Sequence, residues 1–418
     1  MKKVYIESVG CVPRSLEAKR LEKYFIVNGF KRCHSPRIAD LIIFNTCAFV
    51  KSTGNYCLKR IQQLQKYRVD LIVTGCLKDI SKKQLDNVFS GYSFGPLDLE
   101  SIDRLFPSFK YRLTEIRDDS VLFQNSIKLS LLVRILRRRF ALFNLGQLYR
   151  KFIKQFNFNR DFFSKVMRFL INKLILKKIN MSENWFIRIS WGCLSPYCSY
   201  CVIYKSIGRL KSKPIELCLS EFKRGLEKGF KKFYITADNI GAYGIDIKKT
   251  LPELLEAILT IQGKYSLIMD NLDPQWAIRY LDRLIPLIGS NRIESIHTPI
   301  QSGNNRILKL MNRQYTAQET SNTFLKFKSV VPHLKLFANI IIGFPSETES
   351  DFHDTLEIVK KIGFYYVVMF PYSEQEGMFS ARLPGQVSPE IIKFRINKAK
   401  KYFKDNNVDC YVLNKLSD

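Results

Sequence analysis

The chain has 418 residues, of which 46% are hydrophobic and 25% are charged, values that exclude a mostly disordered or fibrous protein. It carries 67 Lys and Arg residues against 38 Asp and Glu residues, so its formal net charge is +29. A charge of this size favours a polyanionic partner, either nucleic acid or an anionic membrane surface. The length allows two or three domains.

The N-terminal sequence MKKVYIESVGC lacks the continuous apolar region of a signal peptide. No stretch approaches the roughly 20 uninterrupted apolar residues of a membrane span. We therefore expect a cytoplasmic protein with no membrane-spanning segment. In a reducing compartment, the ten cysteines are expected to be free, metal-bound or catalytic, and not paired in disulfides.

Residues 1–100 alternate short β-rich runs with helical stretches, a pattern that predicts a small parallel α/β domain of flavodoxin-like type. The runs KVYIESVGC, ADLIIFNTC and VDLIVTGC each end in a cysteine, respectively Cys11, Cys47 and Cys76. In an open parallel sheet, ligands bind beyond the carboxyl ends of the strands. We therefore expect these three thiols to converge at one edge of the sheet.

Residues 101–183 are predicted to form a basic helical insertion. Between 120 and 180, fourteen Lys and Arg residues are offset only by Asp161. Apolar residues recur among them at roughly helical spacing, which indicates one or two amphipathic helices. A solvated surface, a nucleic-acid contact and a membrane-surface helix all remain open as interpretations of this segment.

Residues 184–390 contain six strand-like runs separated by helical patterns: WFIRIS, KFYITAD, YSLIMDN, IESIHTPI, LFANIIIGF and YYVVMFPY. Near-continuous apolar strands are typical of a parallel sheet that is covered on both faces. The pattern predicts an incomplete (βα)6 barrel with its site at the C-terminal mouth. Residues 391–418 predict one basic C-terminal helix and little else.

The segment GCLSPYCSYC follows the first of these strands and places Cys193, Cys198 and Cys201 on one loop. Thiolates at such spacing ligate iron–sulfur clusters or zinc. Structural zinc sites need four ligands, and no fourth Cys or His lies nearby in the sequence. Three cysteines leave one iron of a four-iron cluster open to another ligand, which is a catalytic arrangement.

The chain resembles the radical S-adenosylmethionine methylthiotransferases. Near the N-terminus, SVGC, FNTCAFV and TGCL are similar to the three-cysteine domain of that family. Further blocks follow in the family's order: RISWGCLSPYCSYCVIYKSIGRLKSKP, ITADNIGAYGID, HTPIQSGNNRILKLMNRQYT, IIIGFPSETESDF and FPYSEQEGMFSARLPGQV. The NIGAYG segment is most similar to the branch that acts on threonylcarbamoyladenosine.

The resemblance implies a radical S-adenosylmethionine barrel, two [4Fe–4S] clusters and S-adenosyl-L-methionine. Cys193, Cys198 and Cys201 would hold the catalytic cluster, which cleaves S-adenosylmethionine to a carbon radical. Cys11, Cys47 and Cys76 would hold the auxiliary cluster, which delivers sulfur. Residues at strand ends and beside the cluster loop are expected to contact S-adenosylmethionine; they are Arg209, Asp238, Asn239, Gln301, Ser302 and Gly303.

Two departures from the family pattern affect the interpretation. The family spaces its radical cysteines as C-x3-C-x2-C, whereas four residues, LSPY, separate Cys193 from Cys198 here. The family also carries a C-terminal RNA-binding β-barrel, and the residues after GQV are too few for one. The basic insertion is a candidate substitute for that domain.

The leading hypothesis is an enzyme that methylthiolates a modified adenosine in tRNA, reduced by a donor such as a flavodoxin or ferredoxin and acting as a monomer. One alternative is methylthiolation of a protein or peptide side chain. Another is a non-catalytic nucleic-acid-binding protein stabilised by zinc.

Overall fold

The computed structural model describes residues 1–122, 184–194 and 198–413. The chain divides into two compact units, one comprising 1–120 with 186–418 and the other comprising 121–185. The basic run predicted between 120 and 180 lies outside the described residues from residue 123 onward.

The first sheet contains five strands in the order β2-β1-β3-β4-β5, and each of its pairings is parallel. The strands are β1 (Lys3–Ser8), β2 (Lys31–Arg32), β3 (Leu41–Thr46), β4 (Asp70–Gly75) and β5 (Ser93–Phe94). The helices that follow them are α1 (Val12–Val27), α2 (Lys51–Gln65), α3 (Leu77–Ile80) and α4 (Lys82–Asp86). This is the flavodoxin-like order, whose ligand crevice lies between β1 and β3. The predicted parallel α/β domain is confirmed.

The central strand β3 is buried along its whole length. Because side chains alternate across a strand, Ile42 and Phe44 face one side of the sheet while Leu41 and Ile43 face the other. Residues of α2 cover the first side and residues of α1 cover the second. Leu113 also packs on the α1 side, so the N-terminal core extends beyond residue 100, where the sequence pattern placed the boundary.

The second sheet has the order β15-β14-β13-β12-β11-β10-β7-β6. Its strands are β6 (Ser120–Val121), β7 (Asn184–Arg188), β10 (Lys232–Thr236), β11 (Ser266–Met269), β12 (Ile293–Gln301), β13 (Lys335–Ile342), β14 (Tyr366–Pro371) and β15 (Asp409–Val412). The pairings from β10 through β15 are parallel. All six predicted strands are present. A separate two-stranded sheet, β8 (Ser190–Trp191) with β9 (Lys211–Ser212), brackets the predicted cluster loop.

Helices alternate with these strands, as the predicted α/β pattern requires. They are α5 (Tyr204–Ile207), α6 (Ile215–Glu227), α7 (Leu251–Leu259), α8 (Pro274–Arg279), α9 (Leu281–Gly289), α10 (Asn305–Leu310), α11 (Ala317–Val330), α12 (Glu349–Ile362) and α13 (Pro389–Asp405). Capping boxes begin α11 at Thr316 and α12 at Thr348, so both helix starts are encoded locally. Within the described residues, no helix is long and apolar enough to cross a membrane.

The tail contains one element that the sequence pattern did not reveal. Helix α13 was expected, but the chain then turns back and adds β15 in parallel beside β14, from Tyr366↔Asp409 to Met369↔Val412. Strand β15 has four residues, none of them fully buried, so it lacks the apolar run that marked the other strands. Its position is therefore decided by pairing with β14.

Gly75 and Gly229 allow the cost of a left-handed backbone to be compared with the cost of a close backbone contact. Gly75 and Gly229 both have positive φ, +95° and +83°. A Cβ at Gly75 would lie 2.2 Å from the Thr46 carbonyl oxygen, whereas nothing lies within 4 Å at Gly229. We expect Gly229→Ala to cost about 1–2 kcal/mol of unfolding free energy from the left-handed backbone alone. Gly75→Ala should cost about 3 kcal/mol or more in urea unfolding, because β3 must also move. Equal losses would contradict this close approach.

Candidate active site

The structure brings the three N-terminal cysteines to one edge of the first sheet, as predicted. Cys11 is the N-cap of α1 just after β1, Cys47 follows β3, and Cys76 follows β4. The backbone N–H of Cys76 donates to the Thr46 carbonyl at 3.1 Å, which draws two of the cysteine loops together. The thiols of Cys11, Cys47 and Cys76 lie within electrostatic range of one another.

Burial raises the pKa of all three thiols and so favours their protonated form. It raises the pKa of Cys47 to about 12, and it also raises the pKa of Cys76 despite the opposing charge of Arg14. Thiolates are the metal-binding form, so a cluster that binds here must release protons. Three sulfur donors and no carboxylate among the proposed ligands fit an iron–sulfur cluster, because soft thiolates select such clusters.

The second cysteine set occupies the loop between β8 and β9. Gly192 begins it with φ +76°, and a Cβ there would lie 2.1 Å from the Arg209 carbonyl oxygen, so only glycine fits. The N–H of Cys193 donates to Gly208 at 3.1 Å, and the N–H of Cys201 donates to Cys198 at 3.1 Å. Residues 195–197, which include the extra residue of the predicted spacing, lie outside the described residues.

Arg313 lies directly beside this loop. Its Nη1 is 3.5 Å from the Cys198 Sγ and is also ion-paired with Asp273, while its Nη2 donates to the Pro299 carbonyl at 3.1 Å. Both side chains of the Arg313–Asp273 pair are nearly buried. The neighbouring Asp273 raises the pKa of Arg313 against the effect of burial, so a fixed positive charge stands next to a proposed cluster ligand.

The two cysteine sets belong to one compact unit, and each N-terminal cysteine loop has a neighbour from the C-terminal half of the chain. Asp238, just after β10, lies within electrostatic range of Cys11, and its Oδ2 accepts a hydrogen bond from the Gly192 N–H at 3.1 Å. Ser206 on α5 is a neighbour of Cys76.

The Cys47 loop makes the third such contact. Gln375 Nε2 donates to the Phe49 carbonyl at 2.6 Å, and the Phe49 ring meets Phe370 edge-on at 5.9 Å. Phe370 belongs to β14, so this contact reaches the far side of the second sheet from β10. The Cys11 and Cys47 loops therefore lie beside the carboxyl ends of β10 and β14, and the Cys76 loop lies beside α5, which follows the cluster loop.

Three of the residues predicted to contact S-adenosylmethionine lie next to the loop that carries Cys193 or at the end of β10. Asp238 connects the cluster loop to the N-terminal cysteines, as described above. Asn239 uses its side-chain oxygen to accept from the Gly241 N–H at 3.1 Å, which caps a short turn. Arg209 is exposed, and its side chain makes no ion pair within the described part of the chain, so it is available to a carboxylate.

Gln301 ends β12, and Ser302 and Gly303 follow it; the last two residues are engaged by the fold. Ser302 Oγ is 3.2 Å from Thr355 Oγ1, and the Gly303 N–H donates to that same oxygen at 3.0 Å. A Cβ at Gly303 would lie 2.4 Å from the Asp354 carbonyl oxygen, so the glycine is required by packing against α12. Gln301 has φ +63°, a strained value of the kind that clusters at functional sites. Cofactor contact by these residues stays a prediction.

Three polar residues of the second sheet lie together, an arrangement that the sequence analysis did not identify. Asp270, after β11, accepts from Thr236 Oγ1 at 2.8 Å, and its Oδ1 is 3.6 Å from His297 Nδ1. Burial raises the pKa of Asp270 and lowers the pKa of His297. Partly buried titratable groups at strand ends are typical of functional sites. The only signal in the sequence was the position of Asp270 and His297 within apolar strand-like runs.

Within residues 1–122, 184–194 and 198–413, no three His, Cys, Asp or Glu side chains converge as ligands of one metal ion. A four-iron cluster has its thiolates on different irons, so these stand further apart than the ligands of one ion. The separate three-cysteine edges are compatible with such clusters.

The buried pair of Arg313 and Asp273 gives a stability test of this site. Arg313→Met leaves Asp273 buried without its charged partner, so we expect a loss of about 3–5 kcal/mol in unfolding free energy of the metal-free protein. The matched control is Arg283→Met, whose partner Glu256 is about half exposed, and it should cost less than about 1 kcal/mol. Similar losses for both variants in urea unfolding would contradict the buried geometry.

Two family models match the chain. Residues 3–94 match the model described as Uncharacterized protein family UPF0004, and residues 189–359 match the Radical SAM superfamily. The first range contains Cys11, Cys47 and Cys76, and the second contains Cys193, Cys198 and Cys201.

The curated relatives align over most of the chain. One is the "Probable threonylcarbamoyladenosine tRNA methylthiotransferase" of Pyrococcus horikoshii, 27% identical over 99% of this chain and 92% of the relative. Another is the "tRNA-2-methylthio-N(6)-dimethylallyladenosine synthase" of Thermoanaerobacter pseudethanolicus, 26% identical over 94% of this chain and 76% of the relative. These names do not favour a peptide-modifying enzyme or a zinc-stabilised binding protein.

Among solved structures, the chain is similar to the radical S-adenosylmethionine methyltransferase TsrM from Kitasatospora setae. The TM-score is 0.55 at 10% identity, covering 88% of this chain and 73% of that chain. At this identity the likeness concerns the fold alone, and it agrees with the predicted α/β architecture. The two matched domains in this order and the near full-length relatives lead to one conclusion: the chain combines a UPF0004 domain with a Radical SAM domain and is similar over nearly its whole length to curated tRNA methylthiotransferases.

Proposed function

We propose that this enzyme inserts sulfur and a methyl group at an unactivated C–H bond of a modified adenosine in tRNA. Its cofactors, which follow from the family, are two [4Fe–4S] clusters and S-adenosylmethionine. The observation that supports the proposal is that residues beside the second cysteine set, Asp238 and Ser206, are also neighbours of Cys11 and Cys76. A substrate carbon bound there would lie between the source of the radical and the source of the sulfur.

The residues of the cluster loop and their neighbours would hold the catalytic cluster. Cys193, Cys198 and Cys201 would hold the catalytic cluster, with Arg313 placing a positive charge beside Cys198. The loop is held by backbone hydrogen bonds and by the contact of Gly192 with Asp238. When bound, the clusters and S-adenosylmethionine supply the carbon radical, the sulfur and the methyl group. The chain's own contribution is to orient these groups and exclude water between the two sheets.

The auxiliary cluster would be held by Cys11, Cys47 and Cys76. For S-adenosylmethionine, the exposed Arg209 is suited to the carboxylate of the methionine part, because a guanidinium binds a carboxylate with two parallel hydrogen bonds. Asp238 and Asn239 at the end of β10, and Gln301 at the end of β12, are placed for its polar groups, with Ser302 and Gly303 supporting that turn.

The substrate proposal rests on the names of the relatives and on charge. The relatives from Pyrococcus and Thermoanaerobacter are named for threonylcarbamoyladenosine and dimethylallyladenosine. We assign this enzyme to the threonylcarbamoyladenosine branch on the NIGAYG segment, which begins at Asn239. The net charge of +29 is suited to the phosphate backbone of tRNA.

The remaining assignments complete the proposal. The reducing electron would come from a small carrier such as a flavodoxin or ferredoxin. The enzyme would act as a monomer in the cytoplasm, where its tRNA substrate is found.

Cluster removal tests the two roles separately. We expect about eight irons per chain after anaerobic reconstitution, falling to about four both in Cys11/Cys47/Cys76→Ala and in Cys193/Cys198/Cys201→Ala. The first variant should still cleave S-adenosylmethionine to 5′-deoxyadenosine without modifying tRNA, because only the sulfur source is lost. The second variant should do neither. Four irons in the unaltered protein, or zinc alone, would contradict the proposal.

The product identifies the substrate. Nucleoside mass spectrometry should show the added methylthio mass on threonylcarbamoyladenosine of tRNA incubated with the enzyme. The matched control is tRNA that carries dimethylallyladenosine, which should remain unmodified. Modification of the control alone would reassign the branch, and a methylthio group on a ribosomal peptide with unmodified tRNA would contradict an RNA substrate.

The basic run between 120 and 180 provides an electrostatic test, although it lies outside the described residues. We expect tRNA affinity to fall steeply with rising salt, because phosphate contacts release counterions. Reversing charge at Arg137, Arg138 and Arg139 to Glu should weaken binding about tenfold or more and flatten the salt dependence. The control reverses the exposed Lys223, Lys228 and Lys231, which carry the same total charge. Equal effects would show that overall charge, and not this segment, governs binding.

A further inference from the structure

Arg14 occupies an unusual position inside the N-terminal cysteine site. It lies in the first turn of α1, three residues after Cys11, and is only 1% exposed. Its Cβ and Cγ, together with the Cys47 Cβ, bound the space beside Gly10, where an added Cβ would meet them at 3.2–3.3 Å. The guanidinium is also within electrostatic range of the Cys76 thiol.

One terminal nitrogen of the Arg14 guanidinium is ion-paired, whereas the other has no hydrogen-bond acceptor among the described residues. Its Nη2 is ion-paired with Glu17 Oε1 at 2.9 Å. Its Nη1 is buried and has no hydrogen-bond partner among the described residues. A buried donor left without an acceptor costs about 1–3 kcal/mol, and more when the group is charged. Such a donor needs an acceptor that the protein itself does not provide.

The local charges point to an anionic acceptor. Glu17 is shared with Arg188, whose Nη1 lies 3.2 Å from the same Oε1, so Arg14 has no carboxylate to itself. Asp238 is within electrostatic range, but its Oδ2 accepts from the Gly192 N–H. A four-iron cluster with three thiolate ligands carries net negative charge, and its sulfurs accept hydrogen bonds.

We propose that Nη1 of Arg14 donates a hydrogen bond to a sulfur of the auxiliary cluster held by Cys11, Cys47 and Cys76. This inference rests on the proposed function, because it requires that cluster. Arg14 is a positioning residue: Glu17 orients its guanidinium, and its charge raises the reduction potential of the cluster. Net charge and hydrogen bonds to sulfur are the terms that set such potentials.

The first test measures the potential of the auxiliary cluster alone. In the full chain with Cys193, Cys198 and Cys201 changed to Ala, a redox titration followed by electron paramagnetic resonance gives the midpoint potential. Arg14→Gln should shift it to more negative values, and Arg14→Lys should shift it less, because the charge remains. Arg188→Gln is the matched control, since that arginine shares Glu17 but is not among the groups that shift the pKa of the N-terminal cysteines. An unchanged potential in Arg14→Gln would overturn the inference.

A second measurement needs no change at Arg14. The same three-alanine protein, labelled with ¹⁵N-arginine, should show ¹⁵N hyperfine coupling to the reduced cluster by electron–nuclear double resonance. Absence of that coupling would overturn the inference while leaving the proposed function intact. Absence of iron from this protein would instead overturn the proposed function as well.

Discussion

The contact of Glu17 with Arg14 and Arg188 connects the two sheets on which the site depends. Glu17 and Arg14 belong to α1, whose N-cap is Cys11, whereas Arg188 ends β7 and leads into the loop that carries Cys193. Arg188 also donates to the Pro13 carbonyl. Buried ion pairs contribute little net stability, but removing one partner is costly, so this contact specifies one arrangement of the two sheets.

The arrangement of the two sheets decides which residues lie beside the cysteines. Parallel strands present their following loops at one edge, so the first sheet gathers Cys11, Cys47 and Cys76 from three separate loops. Cys193, Cys198 and Cys201 instead share the single loop between β8 and β9. Asp238, which follows β10, and Ser206 on α5 are neighbours of Cys11 and Cys76. A substrate carbon activated at one cysteine set would then be close to the sulfur held at the other, and no reactive species needs to cross open solvent.

The sequence predicted much of this fold because the relevant signals are local. The strand β3 and six of the eight strands of the second sheet are apolar runs, and Thr316 and Thr348 mark the starts of α11 and α12. Strand β15 was missed because a four-residue, half-exposed strand has no pattern of its own. The reason for Gly303 was missed as well, since its constraint is the Asp354 carbonyl, which is distant in sequence.

The sequence by itself determined the family resemblance, the α/β class and the two sets of three cysteines, because motif spacing and hydrophobic periodicity are properties of neighbouring residues. Only the tertiary structure decided how the two cysteine sets meet and which charged side chains stand beside them. Arg14, Arg188 and Arg313 are ordinary basic residues in a chain with 67 of them. Burial distinguishes all three, and pairing with a carboxylate distant in sequence distinguishes Arg188 and Arg313; both features arise only when the chain is folded.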